Sequence, residues 1–219
     1  MSQEVMNLQE RIKAELEHTK NTIPTPSTNS ISTKGKVFTF PDGQNHPGPM
    51  QAVVLDWRNF NRYYTRPYDP QNPAPPDCFA LAKNLSDMAP HSEATDPQAE
   101  TCKGCPMNEF GSAPNGRGKA CRNTVRLAVA PPDADETFEP WLLNVAPTSL
   151  KSWTSFVSQL EAIGRIPLQA VAEIAFKADA AFPQLTFIAR EFLDEEAVAK
   201  FWQLREKAQA QLDAPPSVD

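Results

Sequence analysis

The sequence predicts a mainly β protein with flanking helices, an α+β fold. Three observations point there. Short runs rich in β-branched and aromatic residues recur between Lys36 and Val145. A long proline-containing stretch with all four cysteines interrupts those runs. Amphipathic helical patterns then follow from Leu150 and from Asp194.

Taken in order, Val5, Leu8, Ile12 and Leu16 fall at three- and four-residue steps and give a narrow apolar stripe on an N-terminal helix. IPTPSTNSIST has the composition of a flexible linker, so residues 1–33 are set apart from a core domain over 34–193. KVFTF, MQAVVLDW, VRLAVA and WLLNV read as strands. Between Asp56 and Val125 lies an irregular excursion, its cysteine-bearing part at about 70–124, too long for an ordinary loop and therefore in need of its own structure. Thr148 or Ser149 offers an N-cap, Leu150, Trp153, Phe156, Val157, Leu160 and Ile163 form the stripe behind it, and Gly164 stops the helix. After Pro167, AVAEIAF and LTFIAREF suggest paired strands, although the alanines leave a helical reading of the first run open. A last helix starts near Asp194 with Val198, Phe201, Trp202 and Leu204, ahead of the polar tail AQAQLDAPPSVD in the segment 194–219. This order fits a small OB-like β-barrel with a zinc-binding insertion and attached helices.

A chain of 219 residues has room for one core domain with extensions. No apolar run approaches the ~20 residues that span a bilayer, and the polar start MSQEVMNLQE does not resemble a secretion signal, so no membrane partner and a cytoplasmic location are expected. There the cysteines meet a reducing environment, where a paired set suggests metal or catalysis before disulfides. The net charge is −6, but basic residues outnumber acidic ones over 34–126, while acidic residues outnumber basic ones two to one over 127–219. Overall acidity therefore does not exclude a nucleic-acid partner for the first region.

Cys102 and Cys105 form a C-x2-C pair, with Cys78 and Cys121 as distant single ligands. Two intervening residues, Lys103 and Gly104, let one turn aim both sulfurs at a tetrahedral centre. Four thiolates leave no open coordination position, so the expectation is one structural Zn2+ per chain and no zinc hydrolase. Alternatives are a site in which His91 replaces one cysteine, and free thiols or a redox pair. Downstream, Gly111, Gly116 and Gly118 surround Arg117 and Lys119 in a basic loop that could touch phosphate, or could be plain solvated surface, and that lacks the P-loop order.

The stretch 57–68 interleaves Trp57, Phe60, Tyr63, Tyr64 and Tyr68 with Arg58, Arg62 and Arg66. Single-stranded nucleic acid is bound by rings that stack on bases and cations that follow phosphates. On a strand, Trp57, Asn59, Asn61 and Tyr63 would share one face, and Arg58, Phe60, Arg62 and Tyr64 the other. The bland alternative for each ring is a place in the core.

The basic aromatic segment, the CKGCP turn, the GRGKACR loop leading into VRLAVA, and the capped helix before IPLQAVAEI and FPQLTF resemble phage single-stranded-DNA-binding proteins with a zinc-bearing OB fold. The likeness covers roughly residues 34–193. It implies a viral accessory of DNA replication and recombination that coats single-stranded DNA in the host cytoplasm and meets replication proteins. The strongly acidic tail common in such proteins is missing, since the last twelve residues hold only Asp213 and Asp219 as charged groups. The expected function is non-enzymatic binding of single-stranded DNA through 57–68, assisted by Arg117, Lys119, Arg122 and Arg126. The rival is a zinc-stabilised protein-interaction module regulating a polymerase. An enzyme is disfavoured, because His18, His46 and His91 stand in no catalytic spacing.

Overall fold

The computed structural model describes Leu8 and residues 29–216, apart from 68, 70, 72 and 73. The expected N-terminal helix, most of the linker and Tyr68 lie outside the described residues.

Among the described residues from 29 onward, nine strands and two long helices make the fold: β1 (Ser30–Ile31), β2 (Phe38–Thr39), β3 (Asn45–His46), β4 (Met50–Tyr63), β5 (Cys78–Ala82), β6 (Arg122–Ala130), β7 (Trp141–Val145), α1 (Leu150–Glu161), β8 (Ala170–Phe176), β9 (Leu185–Phe192) and α2 (Glu195–Asp213). The chain is therefore mainly β with helices, as its patterning predicts. The main sheet runs β1-β7-β6-β4-β8-β9, with β5 also on β4, and curls into a half-barrel. The separate β2–β3 hairpin packs against it, Phe38 stacking on Phe176 at 4.4 Å.

β4 is the spine. One of its edges pairs with β6; the other pairs with β8 over Met50–Val53 and with β5 over Asn59–Tyr63. A register shift between Val54 and Asp56 inserts one extra residue. Because side chains alternate with a period of two, that bulge exchanges the faces downstream. Val54 and then Trp57 point toward the core that contains Leu127, Leu143, Ile174 and Phe187 and is closed by Trp153, Phe156 and Leu160 of α1. Val53 and Leu55 point to the opposite core, closed by Phe201, Leu204, Ala208 and Leu212 of α2. The sheet thus has a helix on each face.

Several sequence expectations change here. Ile31, at the end of the linker stretch, is buried in β1 and pairs in parallel with β7. AVAEIAF is strand β8, since pairing with β4 on one side and β9 on the other outweighs its alanines. Ser149 precedes α1 without a side-chain capping bond; its hydroxyl instead accepts the Leu185 N–H at 2.8 Å, and Ser152 accepts the Phe187 N–H at 3.2 Å. Two donors on the outer edge of β9 are satisfied in this way. The first half of the polar tail, 208–213, is helical, because Ala208 and Leu212 extend the stripe of Phe201 and Leu204, whereas Trp202 points away and is 45% exposed. Asp194 does cap α2, accepting the Ala197 N–H at 2.8 Å. Among the described residues no helix is long and apolar enough to cross a membrane.

Candidate functional site

Beyond the α-covered cores, β4, β5 and the start of β6 extend as a three-stranded ribbon. The cysteine-bearing excursion folds back over one face of it. Cys78 opposes Tyr63 across the β4–β5 ladder. The N–H groups of Cys102 and Cys121 donate to the carbonyls of Met88 and Met107 at 2.9 and 2.8 Å, and Gly104 in the C-x2-C turn has φ of 76°. All four cysteines line one cavity of about 20 Å³, together with Asn61 and Met107 among others. That volume admits one water-sized occupant, which needs ~10–15 Å³.

No disulfide links these thiols, and Cys78, Cys102 and Cys121 each sense their neighbours. Burial pushes the Cys121 thiol up to about 12, with Cys102, Cys78 and Cys105 adding to the effect and the Arg62 N–H opposing it. Burial likewise raises Cys78 and Cys102, against a backbone hydrogen bond from Gln98 and a side-chain hydrogen bond from Asn61 respectively. The thiols converge without standing as ready ligands: among the described residues no group of three or more His, Cys, Asp or Glu is arranged to hold a metal ion. A side-chain rotation is all that would turn each thiol toward the cavity that the four share. His91 is engaged elsewhere, stacked on Phe79 at 4.9 Å and accepting the Glu93 N–H through Nδ1 at 3.1 Å.

A chain of amides joins the thiols to the basic loop. Asn123 donates through Nδ2 to Asn61 at 2.7 Å and to Asn108 at 2.9 Å. Asn108 donates to the Cys102 carbonyl at 2.9 Å and accepts from Lys119 at 3.2 Å. Sequence reasoning placed Asn61 on a strand face but overlooked Asn108 and Asn123, whose separation along the chain gives no local pattern.

The other face of the ribbon carries arginines. Register places Arg58 beside Arg126, Phe60 beside Thr124, and Arg62 beside Arg122. The expected strand faces are therefore present as far as Tyr63, while Tyr64 lies past the strand end. α2 occupies part of this row. Arg58 donates to Asp213 at 2.6 and 3.0 Å and to Gln209 at 2.8 Å. Arg126 donates to the carbonyls of Leu212 and Ala214 at 3.2 and 2.6 Å, neutralising the negative end of the helix. Phe60 is 1% exposed, with the Arg62 and Arg126 guanidiniums 4.7 and 4.3 Å from its centroid. Trp57 packs edge-on against Trp153 at 5.5 Å under the Lys83 ammonium. Trp57, Arg58, Phe60 and Arg126, named as nucleic-acid contacts from sequence, are thus spent on internal packing in this arrangement.

The others remain reachable. Arg66, Arg117 and Arg122 are exposed, and Arg62, Tyr63, Tyr64 and Lys119 are half-buried. The turn after β4 is pinned by Asp77, which accepts from the Thr65 N–H at 2.8 Å. Sequence reasoning also missed Asp56. This 3%-exposed carboxylate accepts from Lys83, from Gln209 at 3.1 Å, from Arg205 at 3.3 Å and from the Trp57 N–H at 2.9 Å. Burial raises its pKa, but Lys83 and the other donors outweigh that and bring it to about 2.

No protein-family model, no curated protein and no solved structure matches this chain.

Proposed function

We propose that the protein binds single-stranded DNA through an OB-like sheet whose ribbon is braced by one structural zinc ion, and that it serves phage DNA replication and recombination without being an enzyme. One observation carries the reading: the four cysteines converge on one face of β4–β6, while the opposite face sets Arg62 and Arg122 side by side. Neighbouring guanidiniums on one face suit the repeated phosphates of a single strand. Arg66, Arg117 and Lys119 lie on segments flanking the same ribbon and extend the positive surface that phosphates require.

Cys78, Cys102, Cys105 and Cys121 fit a zinc ion by donor chemistry and by the size of the cavity they share. Zinc held by these four residues would supply a cross-link across the excursion, their thiol protons passing to solvent on binding. The chain's own contribution is to hold the ribbon: the Arg62 N–H and Asn61 each bond a cysteine sulfur, tying the basic strand to the cluster.

The test is a titration of the intact protein with labelled oligo-dT, followed by fluorescence anisotropy of the oligomer and repeated after zinc chelation. Saturable binding that weakens on chelation is expected. No binding of single strands, or equal binding of duplex DNA, would overturn the reading.

A further inference from the structure

Among the large apolar side chains of the described residues, Phe110 is the most exposed, at 83%. Exposure alone is ordinary for a surface side chain. Its setting is not. The Gly111 N–H donates to the Gly118 carbonyl at 2.7 Å, closing the loop and bringing Arg117 and Lys119 beside Phe110 along the backbone. Ser112 Oγ sits 2.6 and 2.9 Å from the Glu109 and Met107 carbonyls and accepts the Ala120 N–H at 2.9 Å. Asn115 accepts the Arg117 N–H at 2.9 Å, and Gly116 and Gly118 have φ of 67° and 78°, conformations that side chains beyond glycine disfavour. The short turn Pro106–Asn108 sends Met107 to the thiol cavity and leaves Phe110 outside.

An aromatic ring displayed by a loop with this many internal bonds is already organised for contact, so little conformational freedom is lost when something covers it. Over residues 106–121 the loop carries Arg117 and Lys119 against one carboxylate, Glu109. That combination favours a flat, apolar group embedded in an anionic chain.

We propose that Phe110 is a stacking finger for an unpaired nucleobase, with Arg117 and Lys119 holding the phosphates on either side. This rests on the single-stranded-DNA reading above and adds to it the residue that selects unpaired bases, because a base inside a duplex offers no free face. Lys119 is linked through Asn108 to the Cys102 carbonyl, so the finger is built onto the thiol cluster.

The experiment compares wild type, Phe110→Ala and Phe110→Trp, as full chains, by fluorescence anisotropy on labelled oligo-dT and on an abasic oligomer of equal length. Phe110→Ala is expected to weaken oligo-dT binding about fivefold or more, the lower limit for losing one stacked base, and to leave abasic binding unchanged. Phe110→Trp is expected to restore affinity and to be quenched by oligo-dT only. Equal affinity of wild type and Phe110→Ala for oligo-dT overturns the finger and leaves DNA binding standing. Parallel losses on both oligomers also overturn it, since the ring would then act through the loop or the backbone. Failure of the wild type to bind oligo-dT overturns both proposals. Unchanged thermal melting of the exposed-site variants separates these results from misfolding.

Discussion

Replacing Asp56 with asparagine should remove the anion on which the sheet and α2 converge. The carboxylate is 4% exposed at its side chain and faces Lys83, Arg58 and Arg205, whose side chains are 37%, 11% and 26% exposed. Removing one partner of a buried ionic group costs ~3–5 kcal/mol, because the remaining charges lose their compensation. Titration gives an independent figure. The Asp56 carboxyl falls from an ordinary 3.8 to about 2; at about 1.4 kcal/mol per unit, this is about 2 kcal/mol of stability linked to ionisation. Since the folded pKa is depressed, that stability is fully present above about pH 4 and is lost as pH falls from there toward 2. Urea denaturation followed by tryptophan fluorescence, at pH 7 and at steps down to pH 2, measures both quantities. Asp56→Asn should lose ~3 kcal/mol or more at pH 7 and show a smaller decline than wild type between pH 4 and 2. A variant within ~1 kcal/mol of wild type at pH 7, with the same acid profile, would refute this account of the joint.

Cys121→Ser should lower bound zinc from one equivalent per chain and speed amide exchange across residues 78–121, while the helix-covered sheet keeps its protection; elemental analysis with hydrogen exchange checks this, and unchanged metal content would contradict it. Ser149→Ala should destabilise the fold by ~1–3 kcal/mol, since the Leu185 N–H loses its buried acceptor. Urea midpoints decide that, and a loss under ~0.5 kcal/mol would count against the edge-sealing role of the hydroxyl.

Much of the architecture was written in local patterns. The stripe from Leu150 to Ile163 and its Gly164 stop marked α1, and Trp141–Val145 matched β7 residue for residue. The steps from Phe201 through Leu204 and Ala208 to Leu212 carried α2 into the apparent polar tail, a signal hidden by the glutamines between them. The two-residue spacing of Cys102 and Cys105 placed these two near each other, and all four cysteines line one cavity.

The arginine face was less legible, because its fate depends on distant partners. Arg58 and Arg126 match reachable Arg122 in residue type, yet the end of α2 consumes them from 155 and 88 residues away. Trp57 joins the core because a bulge three residues earlier exchanges the faces of β4. Phe110 belongs to no periodic run, and only the closure of its loop gives it a context.

The salt dependence of oligo-dT affinity tests the central idea most directly. Arg62, Arg66, Arg117, Lys119 and Arg122 are the cations proposed to meet phosphates, and each phosphate neutralised on a single strand contributes about −0.7 to the slope of log K against log salt. Five such contacts give a slope of roughly −3.5. A slope in that neighbourhood, reduced by about 1.4 in Arg62→Ala/Arg122→Ala, is the expected result. Affinity indifferent to salt, or a slope that the double variant leaves unchanged, would contradict the assignment of this face to DNA.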